Sequence, residues 1–412
     1  VLRFEDIRFD CSLYNGYKPC KYGNECLDCP HYSPLMPPDA QSGFPQRPGV
    51  LPLRGDGFNV LIIKTGAMGD VLRTTSLLAP LKRAHPDASV TWITEAAALP
   101  LLRNNPFIDE LLPFNPEQVK SLQGNRWNLV MNYEKDRAQL SLAGDLESDA
   151  KVGFAPTLWG ASTVFNPEAQ YGLLLGLSDE LKFRVNTKSY PQIIAEMAGL
   201  PWVRDPYILR LGAEAERRCA EIEELCANAA ALQSVGDSSE IDSVSQRPAR
   251  IGLNTGCGSV FRTKQWPIDG WMELIDFLKE NAPRAQLLLL GGPAEEEMNQ
   301  RLAARYTSLL TTGSDNSLEE FFGVVQACDL VVSSDSLAMH IAVALEKWVG
   351  AIFGSTSAVE VDLFNRGEKI ITDFACSPCY LKVCDKTPTC MEAMRGSLLG
   401  EAVMRGLAAN GG

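Results

Sequence analysis

The sequence predicts an α/β protein of two tandem lobes, each a parallel sheet covered by helices. Its 412 residues, 45% of them hydrophobic, are too many for one ordinary core. They suffice for two cores of about 150 residues each. From about residue 58 onward, short apolar runs alternate with amphipathic stretches, the pattern of a parallel sheet with crossover helices. The same alternation restarts at Arg250.

The first 57 residues fit neither lobe. They carry four cysteines, followed by a stretch with several prolines and glycines, too irregular for a helix and too rich in proline for a central strand. The first lobe, 58–205, opens with NVLIIK (Asn59 to Lys64), a run apolar enough for a strand buried on both faces. A helix through Leu81, the strand ASVTWIT (Ala88 to Thr94), a helix around Ala96 to Leu102 and the strand WNLVMNY (Trp127 to Tyr133) follow. The second lobe, 206–375, begins its own sheet with RIGLNTG from Arg250. Then come a helix over Gly270 to Asn281, the strand QLLLLGG (Gln286 to Gly292) and a glutamate-rich helix opening at Ala294. A helix from Leu318 to Ala327, the strand DLVVSS (Asp329 to Ser334), a helix from Ala338 to Leu345 and VGAIFG (Val349 to Gly354) complete it. Residues Gln233 to Arg247 are polar, serine-rich and without apolar period, and read as an exposed loop. Residues 376–412 form a cysteine-rich C-terminal segment.

No run approaches the roughly 20 apolar residues of a membrane helix, and the N-terminus has no signal-peptide core, so a cytoplasmic location is expected. The net charge of −13 repels phosphate backbones, and no basic groove offsets it, which excludes nucleic acid as the expected partner. A small anionic ligand fits better, because a few lysines in a cleft outweigh the global field.

Three segments carry chemistry. KTGAMGD (Lys64 to Asp70) lies between a buried strand and a helix expected to begin near Val71. There Gly66 and Gly69 allow a tight turn and close backbone approach, and Asp70 stands at the helix start, beyond the strand ends where α/β proteins bind ligands. Asp70 is equally well read as an N-cap. Neither a dinucleotide fingerprint nor a P-loop is present, which removes the main support for nicotinamide or ATP-hydrolysing chemistry. TGCGSVFRTKQWP (Thr255 to Pro267) places small residues before Arg262 and Lys264, suiting a loop that cradles a diphosphate with Lys264 as counter-charge. The alternative is an ordinary surface lysine. SSDSLAMH (Ser333 to His340) leaves a strand and enters a helix, and GST (Gly354 to Thr356) ends the next strand. Helix N-termini bind phosphate, so Asp335, Ser336 and His340 are candidates to hold sugar or phosphate oxygens, although a lone helical histidine is also read as structural.

Taken in order, the strand with KTGAMGD, the TG…K-WP segment, the LLLLGGP-E segment and the DS…MH…FG-T segment resemble the ADP-heptose:lipopolysaccharide heptosyltransferase family over roughly residues 58 to 392. The resemblance implies a GT-B fold, two facing Rossmann-like domains, and inverting transfer of heptose from a sugar nucleotide with no catalytic metal. It implies a lipopolysaccharide-type, lipid-linked or protein acceptor, and peripheral contact with the inner membrane. Asp70 matches the family's general base, Lys264 the lysine that neutralises the leaving diphosphate, and Asp335, Ser336 and His340 the donor loop. Thr255, Gly354 and Thr356 fall in the same donor-binding motifs, and Glu295 lies near the position of a ribose-binding glutamate. Leu337 departs from the pattern, standing where the donor loop usually has glycine. It motivates the rival expectation, a metal-binding scaffold or assembly protein on a degenerate glycosyltransferase fold.

Eight of the twelve cysteines fall in two clusters. Cys11, Cys20, Cys26 and Cys29, spaced C-x8-C-x5-C-x2-C, are enough to fill a tetrahedral shell, and a structural zinc is expected there, with iron or an iron–sulfur cluster as the alternative. Cys376, Cys379, Cys384 and Cys390 are a second possible ligand set, or else pack the return of the chain to the first lobe.

Overall fold

The computed structural model describes residues 2–23, 26–35, 57–234, 247–258 and 261–410. Most of the proline-rich stretch and of the serine-rich loop read from the sequence lies outside these residues. The chain divides into two units, Val1–Ile208 and Leu209–Gly412, so the cysteine-bearing N-terminal segment belongs to the first and the C-terminal one to the second.

In the first unit six strands form one sheet: β1 (Asn59–Ile63), β2 (Ser89–Thr94), β3 (Glu110–Pro113), β4 (Trp127–Asn132), β5 (Ser148–Pro156) and β6 (Ser162–Val164). Their order is β3-β2-β1-β4-β5-β6, parallel throughout except for the antiparallel β5–β6 pair. Val60, Leu61, Ile62 and Ile63 of β1 are all fully buried, as a central strand covered on both faces requires. The N-terminal segment is tied to this unit by the Tyr14 hydroxyl, which donates to the Ser162 carbonyl at 2.6 Å.

The second unit repeats the plan with β7 (Arg250–Asn254), β8 (Gln286–Leu290), β9 (Leu310–Thr311), β10 (Leu330–Ser334), β11 (Trp348–Phe353) and β12 (Gly367–Ile371). The order β12-β11-β10-β7-β8-β9 is the first unit's order read from the other edge, and all pairs are parallel. Both sheets therefore have the doubly wound arrangement, in which strand order reverses between β1 and β4, and again between β7 and β10. In such sheets ligands bind outside the carboxyl ends of the strands, where the order reverses. The sequence's first three motifs of interest leave β1, β7 and β10.

Trp266, Trp271, Leu274 and Leu278 pack with Ile251, Leu253, Leu289 and Val332 in the second core. Met391, Met394, Leu399, Ala402 and Val403 belong to the same core, the last three on the helix Gly396–Asn410. The chain after the second cysteine cluster thus packs into the core of the unit it ends. Among the described residues no helix is long and apolar enough to cross a membrane.

Candidate functional site

In the first unit the loop after β1 is shorter than its sequence suggests. The helix starts at Met68, not near Val71, with Ala67 as its N-cap. Gly69 is therefore helical, and Gly66 has no positive φ and open space where a Cβ would point, so neither glycine serves a left-handed backbone. Asp70 is the third helical residue, which removes its reading as an N-cap.

Asp70 is held by its neighbours. Arg73 Nη2 lies 2.5 Å from Asp70 Oδ1, and the buried guanidinium stacks 4.2 Å from the centre of the Tyr190 ring. Thr74 Oγ1 bonds the Asp70 carbonyl at 2.7 Å and the Tyr190 hydroxyl at 3.0 Å. Behind this sits Glu134, just past β4, whose Oε1 accepts from Lys64 Nζ at 2.8 Å, Thr65 N at 2.7 Å and Gly66 N at 2.9 Å. Burial pulls the Lys64 pKa down, but the carboxylates of Glu134 and Asp70 outweigh it and hold the ammonium above its usual value. Burial raises the Tyr190 phenol, which stays neutral. Glu134, Arg73 and Tyr190 were not singled out from the sequence. A usable signal existed for Glu134: it follows β4 directly, and β4 is the strand beside β1 at the order reversal.

The second unit brings the expected donor-motif residues together. Lys264, at the end of a short 3-10 turn from Arg262, has its Nζ 3.7 Å from Asp335 Oδ2, and Asp335 Oδ1 is 3.8 Å from His340 Nε2. His340 is buried on the helix Leu337–Ala344. Ser336 is that helix's N-cap, accepting from Met339 N, and its hydroxyl is 2.9 Å from Ser333 Oγ and 3.3 Å from Asn254 Nδ2. Asn254 also donates to the Gly256 carbonyl at 2.9 Å, so one amide ties the loops after β7 and β10. Leu337 occupies the first helical position, where the backbone needs no glycine.

Thr255 is buried, its hydroxyl 2.7 Å from Asn299 Oδ1. Glu295 accepts from Gly292 N at 3.0 Å and lies against Gly256, where a Cβ would come 2.8 Å from its carboxyl carbon. Gly354 is packed on Met391 and Cys390, with 2.5 and 2.8 Å from its would-be Cβ to their sulfurs. Thr356 is buried, and its hydroxyl has no hydrogen-bond partner among the described residues. Burial pushes the Cys257 thiol up.

Among the described residues no disulfide joins any of the twelve cysteines. Among the described residues no group of three or more His, Cys, Asp or Glu side chains is placed to hold a metal ion. The ligand sets Cys11, Cys20, Cys26 and Cys29, and Cys376, Cys379, Cys384 and Cys390, are expected from spacing alone. Spacing fixes how many ligands are near in sequence, not whether their side chains converge.

The model of Glycosyltransferase family 9 (heptosyltransferase) matches residues 229–389, which contain every donor-motif residue named above. Lipopolysaccharide heptosyltransferase 1 of Pseudomonas aeruginosa is 25% identical over 341 residues, covering 80% of this chain and 88% of that protein. The chain is similar to the heptosyltransferase family. This bears out the resemblance read from the ordered motifs, and makes the chain a glycosyltransferase. The fold agrees. A family 9 glycosyltransferase from Veillonella parvula superposes with a TM-score of 0.65 at 15% identity, over 87% of this chain and 99% of that one. The E. coli ADP-heptose lipopolysaccharide heptosyltransferase II gives 0.58 at 18%, over 86% and 100%. The expected α/β, GT-B class of two mostly parallel sheets holds.

Proposed function

We propose that this glycosyltransferase transfers a heptose or closely related sugar, with inversion, from ADP-heptose or a similar sugar nucleotide to a lipopolysaccharide-type or protein acceptor. The observation that carries this reading is the convergence of Lys264, Asp335 and His340 at the order reversal of the second sheet, with Asn254 tying the two loops that bear them. The names of the relatives support the donor and acceptor class. Lys264 sits on the donor's diphosphate and neutralises the charge that grows as the bond to the anomeric carbon breaks. Thr255, Ser336, Gly354 and Thr356 line the donor side, and Glu295 takes the ribose hydroxyls. Asp70 removes the acceptor hydroxyl's proton while that oxygen attacks the anomeric carbon from the face opposite the diphosphate. Arg73 fixes the carboxylate in place for this task. A lipid-linked acceptor would bring the enzyme to the inner membrane surface as a peripheral protein.

Calorimetry with ADP, UDP and GDP tests the donor half. Binding of ADP by the wild type, weakened about tenfold or more in Lys264→Ala, supports it. Binding of none of the three would favour the scaffold reading. Structural zinc at the N-terminal thiols rests on their spacing alone, and elemental analysis of the purified chain decides it.

A further inference from the structure

The second cysteine-bearing stretch, 372–391, has a place in the fold that the transfer reaction has not yet used. Much of its own surface is exposed, with Leu381 51% and Val383 81% accessible, so it has little core to hold it. It is anchored by polar contacts to two loops of the proposed donor site. Ser377 Oγ donates to the Gly354 carbonyl at 2.6 Å, while Cys379 N and Tyr380 N both donate to the Ser355 carbonyl, at 3.0 and 2.8 Å. The Tyr380 hydroxyl accepts from Ser357 N and donates to Glu360 Oε2, each at 3.2 Å. Its ring meets Phe261 edge-on with centroids 6.2 Å apart.

The other loop is the turn that carries Lys264. Thr263, between Arg262 and Lys264, donates from Oγ1 to the Leu381 carbonyl at 2.7 Å and shares a hydrogen bond with Ser355 Oγ at 3.0 Å. One hydroxyl thus joins the lysine turn, the loop after β11 and the cysteine-bearing stretch. Gly354 completes the contact, since Met391 and Cys390 leave no room for a Cβ there.

We propose that the stretch 372–391 is a brace that sets the lysine turn against the Gly354–Thr356 loop for nucleotide binding, with Thr263 and Tyr380 as its positioning residues. The inference rests on the reading that these two loops take the donor's diphosphate. A loop held by main-chain bonds to a separate segment keeps its anion-binding geometry at little cost in ordering when ligand arrives. The cysteine-rich stretch then acts on donor affinity without touching the donor.

The test is ADP affinity by calorimetry on the full chain, with melting temperature measured alongside. Thr263→Val, which keeps the shape and loses the hydroxyl, is expected to weaken ADP binding about tenfold. Thr263→Ser should restore it to within about twofold, and Tyr380→Phe should weaken it about threefold. Hydrogen exchange of 374–384 should slow when ADP is added to wild type. If Thr263→Val and Tyr380→Phe bind ADP within twofold of wild type while Lys264→Ala does not, the brace is refuted and the donor reading survives. Should Thr263→Val fail to fold, Tyr380→Phe and the exchange experiment decide. If the wild type binds no ADP, or Lys264→Ala leaves binding unchanged, the donor reading fails and the brace falls with it.

Discussion

Replacing Glu134 should destabilise the first unit more than any exposed substitution, and the structure says by how much. Lys64 and Glu134 have side chains only 5% and 10% exposed. Removing the carboxylate in Glu134→Ala leaves a buried ammonium without its anion, a change that costs about 3–5 kcal/mol. Thr65 N and Gly66 N lose their acceptor as well, each worth about 1–3 kcal/mol if left unmet. These terms overlap, so about 4 kcal/mol is the working figure, a large share of a domain's usual stability of about 5–15 kcal/mol. Glu134→Gln keeps an oxygen for the two backbone donors and loses only the charge, so about 2 kcal/mol is expected. Lys64→Met combined with Glu134→Gln should cost less than the sum of the two single changes. Urea denaturation of the wild type, Glu134→Ala, Glu134→Gln, Lys64→Met and the double variant measures all of this. A Glu134→Ala loss below about 1 kcal/mol, or additive single effects, would refute the account of this loop.

Asp70→Ala should abolish transfer and leave ADP affinity within a few-fold of wild type, read by a coupled assay for released nucleotide and by calorimetry. Gly270→Ala should cost about 1–3 kcal/mol, because a Cβ there would lie 2.4 Å from Trp266 Cε2, and thermal melting checks it. Lys135 gives a pH test: burial, reinforced by Lys182, lowers its pKa to about 7. The unfolded chain keeps that proton up to the ordinary lysine value, so the native state binds fewer protons above about pH 7 and stability rises with pH across that window. Lys135→Met should flatten the rise and stabilise most at the acid end. Denaturation at about pH 6 and about pH 9 measures it, and equal pH slopes in the two proteins would contradict the assignment. If zinc occupies the N-terminal thiols, elemental analysis returns about one per chain, and a metal-free chain of unchanged stability removes it.

How much of this could be read from the sequence follows from how each piece is buried. β1, β7, β8, β10 and β11 are buried along nearly their whole length, and all but β7 carry an apolar run of three or more residues that marks them as covered on both faces. β3, β9 and β12 sit at or near sheet edges, are short or half-buried, and carry Glu110, Thr311, Glu368 and Lys369, so nothing in their patterns announced strands. The donor motifs were legible because each lies within a dozen residues of its strand. Glu134 was not, since its partners Lys64, Thr65 and Gly66 are 68–70 residues away and only the parallel pairing of β1 with β4 brings them near. The role of Tyr380 was hidden for the same reason: the bonds from Tyr380 that shape the loop after β11 start 20–25 residues downstream.

The transfer reaction itself tests the central claim most directly. The full chain is incubated with ADP-heptose and a heptose-deficient lipopolysaccharide or protein acceptor, and the products are weighed by mass spectrometry. The account predicts acceptor gaining the mass of one heptose residue with release of ADP, and no gain with Asp70→Ala. Consumption of no sugar nucleotide, or a wild-type rate from Asp70→Ala, would contradict it.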